Sequence, residues 1–443
     1  MARNTEPQMN GALARALRRR HPLWNDETVH AEQTRVLKDA RKQPDILVEI
    51  ENRQPVAIEA EVEPAANVED EARERLGKPL GSTGARIESA IAVIYPKRFR
   101  DGALDEAIES AADLRYAAFH ELENGDSKRW PKSGWIETDV NGLADAIEHL
   151  SLSERKLAQG TRALEEIVQQ TANRIKNWSG ENSIAFKRIA EELHQKPGEQ
   201  TNRMAAAIFV SAFMFHAAIE GLEQKQKLTV DGKKTTFTRV VPKLPEGVGE
   251  LNKIALLELW RIILKIDYKP IFDIARDLLR CLPDRAVHKV MERVRDGVSE
   301  LTDLGVGTYH DLAGKMFQKL IADRRFLATF YTLPESARLL AELAVRRLKV
   351  DWADADAIKK LKIADFACGT GALLSATQQA IYNRHRRAGG DDKELQTAMM
   401  EEVLFGMDIM PAAAHLTCSM LSSAHPSAWY QWSQIHTMPY GNG

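Results

Sequence analysis

A strand-like run, Leu361 to Phe366, passes straight into Ala367, Cys368, Gly369, Thr370 and Gly371, and from there into a helical segment that ends near Gly389 and Gly390. A second apolar run, Val403 to Asp408, follows, and another helix opens near Pro411. This is the pattern of a βαβ unit, and it constrains the chain more than any other feature. A parallel sheet must be covered on both faces and have its neighbouring strands in place. The glycines of the first turn let a ligand approach the backbone where helix N-terminal amides point. Asp408 closes the second strand, so its carboxylate is expected beside the glycine loop at the C-terminal edge of the sheet, where it could accept two ribose hydroxyl hydrogen bonds. The same elements also fit another dinucleotide or small-molecule fold, with Asp408 a solvated strand-end acid.

The rest of the chain has room for more than this unit. At about 100–200 residues per domain, 443 residues imply several domains. Lys and Arg total 61 against 63 Asp and Glu, a net charge of -2. That excludes a polycationic tail protein but not nucleic acid, which needs locally clustered cations rather than a basic total. Cys281, Cys368 and Cys418 are far apart, with no CxxC pair and no Cys/His set at metal-ligand spacing, as expected of a reduced, cytoplasmic protein. The most apolar stretch, Met204 to Ile219, is interrupted by Ser211 and His216 and is shorter than the ~20 residues of a membrane span. It reads as a buried core helix, and no membrane partner is expected.

Three regions follow from local patterning, giving a multidomain α/β chain. Residues 1–150 run strand (Ile46 to Glu51), strand (Pro55 to Glu63), helix (Asn67 to Leu76), strand (Ile87 to Tyr95). Residues 151–305 are mainly helical, with long periodic segments at Glu154 to Trp178, Thr201 to Leu222, Leu251 to Ile266 and Ala286 to Leu304. One hairpin interrupts them, turning at Asp231 and Gly232. Residues 306–443 carry helices at His310 to Arg324 and about Leu333 to Leu348, then the βαβ unit; Thr332 and Glu335 stand at capping-box spacing.

Asp311 to Leu421 resembles the amino-terminal part of an adenine-N6 DNA methyltransferase domain of restriction-modification systems, of the type I modification-subunit or type IIG kind. Phe330, Tyr331, Thr332 and Pro334 resemble the family's FYTP block, with Leu333 inserted between Thr and Pro. Asp365 to Gly371 resembles its DPACGTG block, with Phe366 where Pro is usual, and Phe405 to Leu416 resembles the block whose acid binds the ribose. The resemblance implies a partial Rossmann-like fold binding S-adenosyl-L-methionine through Tyr331, Thr332, Asp365, Ala367, Cys368, Gly369, Gly371 and Asp408. It further implies methyl transfer to adenine N6 in double-stranded DNA, with the target base flipped out of the duplex.

The family's catalytic block, Asn or Asp followed by two prolines and an aromatic residue, has no counterpart here. Met438, Pro439, Tyr440 and Gly441 come nearest and lack both the amide and the second proline. The family's sheet has seven strands, its fourth pairing with its first, whereas only two or three strands are expected here. The chain alone is therefore expected to be incomplete for methyl transfer. It would be either a fragment or completed by a second chain, with a specificity subunit as a further partner.

At the front, Asp45 follows Pro44 at a strand start, and Glu59 and Glu61 lie two apart on the next strand. Residues two apart on a strand share a face. The two glutamates can therefore converge with Asp45 while Ile58, Ala60 and Val62 face the core. Carboxylates suit Mg²⁺, which would activate water and neutralise phosphate charge. The element order and spacing resemble the PD-(D/E)xK nuclease superfamily, with Glu61 where Lys is usual. That resemblance implies Asp45, Glu59 and Glu61 as catalytic residues, Asp45 and Glu59 as Mg²⁺ ligands, and DNA cleavage as a second activity. A strand whose outer face is merely solvated by Glu59, Glu61 and Glu63 stays open beside it. The overall expectation is a restriction-modification or phage-defence enzyme; the alternative is a non-catalytic DNA-binding or assembly subunit. Arg18 to Arg20, Lys128 and Arg129 beside Trp130, and Arg384 to Arg387 are basic, but helix faces and caps account for them and no site is placed on them.

Overall fold

The computed structural model describes residues 3–20, 24–31, 44–50, 53–80, 85–122, 125–151, 154–179, 183–230, 233–245, 251–304, 332 and 334–438. The expected helix His310 to Arg324, Phe330 and Tyr331 of the loop after it, and Pro439 to Gly441 lie outside the described residues. The chain forms two compact units, Met1–Lys156 and Leu157–Gly443.

The first unit is built on a sheet. After helix α1 (Glu6–Arg20) come strands β1 (Val29–Ala31), β2 (Ile46–Val48) and β3 (Val56–Val62), helix α2 (Val68–Arg75) and β4 (Ser89–Tyr95). Helix α3 (Leu104–Glu109), strands β5 (Leu114–Glu121), β6 (Ser127–Trp130) and β7 (Ile136–Thr138), and helix α4 (Val140–Leu150) complete it. The sheet order is β1-β2-β3-β4-β5-β6, with β7 also on β5. Only β3 and β4 pair in parallel, and α2 supplies the crossover such a pair requires. All of β4 is buried, as a continuous apolar run covered on both faces should be. Along β3 the faces separate: Val56, Ile58, Ala60 and Val62 join the core under α1 and α4, while Ala57 belongs to the core under α2. The strand, strand, helix, strand order read from the sequence is β2, β3, α2, β4.

The second unit begins with helices α5 (Glu154–Ser179), α6 (Ile184–Glu192) and α7 (Glu199–Ile219). The hairpin β8 (Glu223–Val230) and β9 (Lys233–Val240) follows, then α8 (Lys253–Ile266), α9 (Lys269–Cys281) and α10 (Asp284–Asp303). Among the described residues one helix, Glu199–Ile219, is long and apolar enough to cross a membrane. It lies in the core, where Phe213 meets the edge of Trp260 and Phe215 packs against Tyr268 and Phe272. Helix α9 has a clear amphipathic stripe, Ile271, Phe272, Ala275, Leu278 and Leu279, behind a Pro in its first turn. The long segments chosen from periodicity passed over it.

Beyond position 332 come α11 (Pro334–Val345), β10 (Ile363–Asp365), α12 (Ala372–Arg387), β11 (Leu404–Asp408), α13 (Pro411–Ser422) and β12 (Gln434–Thr437). The strands form a parallel sheet, β10-β11-β12. Every residue of α13 is buried. Ser419 shares a 2.8 Å hydrogen bond with Ser211 of α7, and the Tyr268 hydroxyl donates to the Pro426 carbonyl. The helical residues and this sheet therefore share one core running from Leu164 to Ile435. The described residues from Leu157 onward, read from sequence as parts of two separate domains, belong to one compact unit, in which α13 has no face left for water.

Two helical glycines give opposite predictions. A Cβ on Gly297 of α10 would stand 2.5 Å from Ile167 Cγ2 of α5, whereas among the described residues one on Gly11 of α1 would meet only the Arg15 guanidinium at 3.5 Å. Gly297→Ala should lower the stability of its unit by about 1–3 kcal/mol through overpacking, outweighing helix propensity. Gly11→Ala should raise that of its unit by about 0.5–1 kcal/mol. Urea denaturation of each variant checks both signs.

Candidate functional site

The turn leaving β10 is held from three sides. The Asp365 carboxylate accepts from the Ala367 N–H at 3.1 Å, the Cys368 N–H donates to the Met407 carbonyl at 2.9 Å, and the Gly371 N–H donates to the Cys368 carbonyl at 2.7 Å. Gly369 and Gly371 have φ of +53° and +81°, a region that L side chains rarely adopt. At Gly371 space matters as well, since a Cβ there would stand 2.7 Å from Thr417 Cγ2. Over Gly369 nothing among the described residues lies within 4 Å of a Cβ position, so the loop is open to that extent.

Asp408 stands where the sequence places it. Its Oδ2 accepts from the Gly369 N–H at 3.0 Å and its Oδ1 from the Met410 N–H at 2.9 Å. Each carboxylate oxygen has a further lone pair. Thr417 of α13 donates to the Gly369 carbonyl at 2.9 Å, a brace that the sequence reading did not single out. Two large apolar side chains flank the loop and the acid along the chain: Phe366 is 75% exposed and Ile409 50% exposed. Exposed rings and branched chains beside polar backbone offer an apolar surface to a flat heterocycle. The residues present thus fit a nucleoside cofactor at the C-terminal edge of a parallel sheet.

The structure brings together Asp365, Ala367, Cys368, Gly369, Gly371 and Asp408. Thr332 is described and half-buried, but Tyr331 and Leu333 lie outside the described residues, so the proposed cover of the site is not part of this geometry. Cys368 is buried, and burial pushes its thiol up to about 12, with nearby Asp408 and Asp365 adding to the effect. It is a packed loop residue rather than a nucleophile.

At the front, β2 and β3 pair antiparallel with Ile46 opposite Ile58, which sets Asp45 opposite Glu59. Asp45 Oδ2 accepts from the Ala60 N–H at 2.7 Å. Glu59 is only 2% exposed and forms an ion pair with Arg75 of α2, and burial pushes its carboxyl up to about 7 against the pull of that guanidinium. Glu61 accepts from the Asn67 N–H at 3.4 Å. Among the described residues no three Asp, Glu, His or Cys side chains are grouped to hold a metal ion. The three carboxylates share the face predicted for them, but α2 covers that face and supplies the cation itself. The expected Mg²⁺ site at Asp45 and Glu59 does not fit this arrangement, and no metal-dependent step is derived from it.

No family model matches the chain, and no curated protein does. Solved structures align with it at low identity. The cryo-EM structure of a DrdV–DNA complex is 10% identical, covering 97% of this chain and 39% of that one, with a TM-score of 0.43. The type IIG restriction endonuclease BpuSI is 13% identical, covering 98% of this chain and 41% of that one, at 0.30. The ATP-dependent type ISP restriction-modification enzyme LlaBIII, bound to DNA, is 12% identical, covering 66% of this chain and 18% of that one, at 0.26. The chain therefore spans about two fifths of the first two proteins and under one fifth of the third. At TM-scores below 0.5 these likenesses establish neither fold nor activity.

Arg75→Ala tests the front cluster. It leaves a buried carboxyl without its cation, which should cost about 3–5 kcal/mol when that carboxyl is charged. An acid whose folded pKa is raised gains stability from its proton at low pH and loses it as pH rises through the folded value. The deficit of Arg75→Ala relative to wild type should therefore be small at pH 5 and grow as pH rises above about 7, by at most about 1.4 kcal/mol per pH unit, as read by chemical denaturation at pH 5 and pH 8.

Proposed function

We propose that the chain is the cofactor-binding part of an adenine-N6 DNA methyltransferase working in restriction-modification or phage defence. The observation carrying this reading is the bond from the Gly369 N–H to Asp408, which joins a glycine turn open to ligand to an acid able to accept ribose hydroxyls. S-adenosyl-L-methionine, when bound, supplies an electrophilic methyl group on a sulfonium. Asp408 orients the ribose through its remaining lone pairs, Gly369 lets the ligand approach the backbone, and Phe366 and Ile409 offer apolar surface to the adenine ring. Tyr331 and Thr332 would close over the cofactor.

Methyl transfer also needs groups that hold the target amine, and none is assigned here. Among the described residues β10 pairs only with β11, Ala364 is exposed, and Leu339, Leu340 and Leu343 of α11 are exposed. These features support further polypeptide, such as a second chain, pairing with the outer edge of β10 and bringing the catalytic block. A specificity subunit would supply target recognition in such an assembly.

A second reading concerns the front unit. The Glu59–Arg75 ion pair favours a non-cleaving DNA-binding or assembly module over a Mg²⁺-dependent nuclease.

Calorimetry with S-adenosyl-L-methionine tests the cofactor site. Wild type should bind, and Asp408→Ala should bind about 10–100-fold more weakly, the usual loss for hydrogen bonds to a charged group. Absence of heat from folded wild type would overturn the reading. Labelled methyl transfer to adenine-containing DNA should be undetectable with this chain alone; measurable transfer would show that the site is complete.

A further inference from the structure

The hairpin β8–β9 is a two-stranded sheet that pairs with no other strand among the described residues. Each strand has eight residues, about 26 Å at ~3.3 Å per residue. A lone hairpin is marginal in water, and this one is secured at its base. The Gly221 N–H donates to the Val241 carbonyl at 2.9 Å, the Val241 N–H to the Leu222 carbonyl at 3.0 Å, and the His216 ring of α7 meets the Pro242 carbonyl at 2.8 Å.

The register sorts its residues into two rows. Glu223 opposes Val240, Lys225 opposes Thr238, Lys227 opposes Thr236 and Thr229 opposes Lys234, and opposed residues share a face. In that row Glu223, Lys225, Thr236, Thr238 and Val240 are exposed, and Lys227, Thr229 and Lys234 occupy positions of the same row. In the other row Gln224 and Arg239 are half-buried, and Arg239 donates to the Lys265 carbonyl of α8. One face therefore turns toward the protein at its base and the other toward solvent.

By sequence and register the first row carries Lys225, Lys227 and Lys234 with Thr229, Thr236 and Thr238. Residues 223–243 carry six Lys or Arg against two acids, in a chain whose net charge is -2. The row's one apolar member, Val240, sits at the base, so it has no wedge to insert into lipid. Lysines with threonine hydroxyls suit phosphate oxygens, and a two-stranded ribbon fits the major groove of duplex DNA. We infer that the face bearing Lys225, Lys227 and Lys234 is a duplex-DNA contact surface that grips backbone phosphates without reading sequence. The inference rests on the reading that the chain acts on DNA and adds where it is held.

The test uses the full chain, a fluorescent 30-base-pair duplex and anisotropy across a salt series, with S-adenosyl-L-methionine calorimetry on the same samples. The triple variant Lys225→Gln/Lys227→Gln/Lys234→Gln should bind at least about tenfold more weakly, with the log–log salt slope reduced by about 0.9 per lost phosphate contact, about 2.7 in all. Lys225→Glu alone, at an exposed position, should move binding in the same direction by less. Lys233→Gln, in the other row, should bind as wild type does. The inference falls if wild type does not bind the duplex, if the triple variant binds equally well, or if Lys233→Gln loses as much. It also falls if poly-glutamate of matched charge displaces the probe as well as unlabelled duplex does, since the face would then be a general polyanion surface. Failure of wild type to bind the cofactor, with the lysine effect intact, would remove the methyltransferase reading and support the DNA surface.

Discussion

One carboxylate organises the C-terminal sheet. Asp408 ends β11, and its two oxygens take the Gly369 N–H of the preceding turn and the Met410 N–H that leads into α13. The first bond fixes the glycine turn against the neighbouring strand; the second sets the exit toward the next helix. A charged acceptor makes each bond stronger than a neutral one would be. The same side chain thus holds the glycine turn and the start of α13, so the order of the loop and the exit of the strand are coupled through one residue.

The front unit places charge differently. Glu59 is buried, where ionisation is costly, and Arg75 meets it from the crossover helix. A buried ion pair of this kind is weak evidence of stability but strong evidence of register, since either partner left alone is penalised. The pair locks α2 over β3, and the face that a sequence reading assigns to solvent or metal becomes an internal seam.

Much of this was legible beforehand. The turn at Gly369, the strand ending at Asp408 and the parity of Glu59 and Glu61 follow from periods of two and from glycine chemistry, which are local. What was hidden depended on tertiary partners. In β12 only Ile435 is buried and apolar, so a strand there is recognisable only once β11 is beside it. Arg75 is an ordinary helix-ending cation until β3 is placed beneath it. The division into three regions fails at α13, whose Thr417, Ser419 and Ser422 look like surface residues in sequence and are all buried.

That last helix has a mechanical consequence. Thr417 meets the carbonyl of Gly369, and two positions on, along another flank, Ser419 meets Ser211 of α7. A rod packed on every side has no slack, and dense interiors pass strain along instead of absorbing it. The same α7 carries His216, which meets the backbone at the root of the lysine-bearing ribbon. A load on that ribbon and a load on the glycine turn therefore both reach α7, the first at His216 and the second by way of α13 at Ser211.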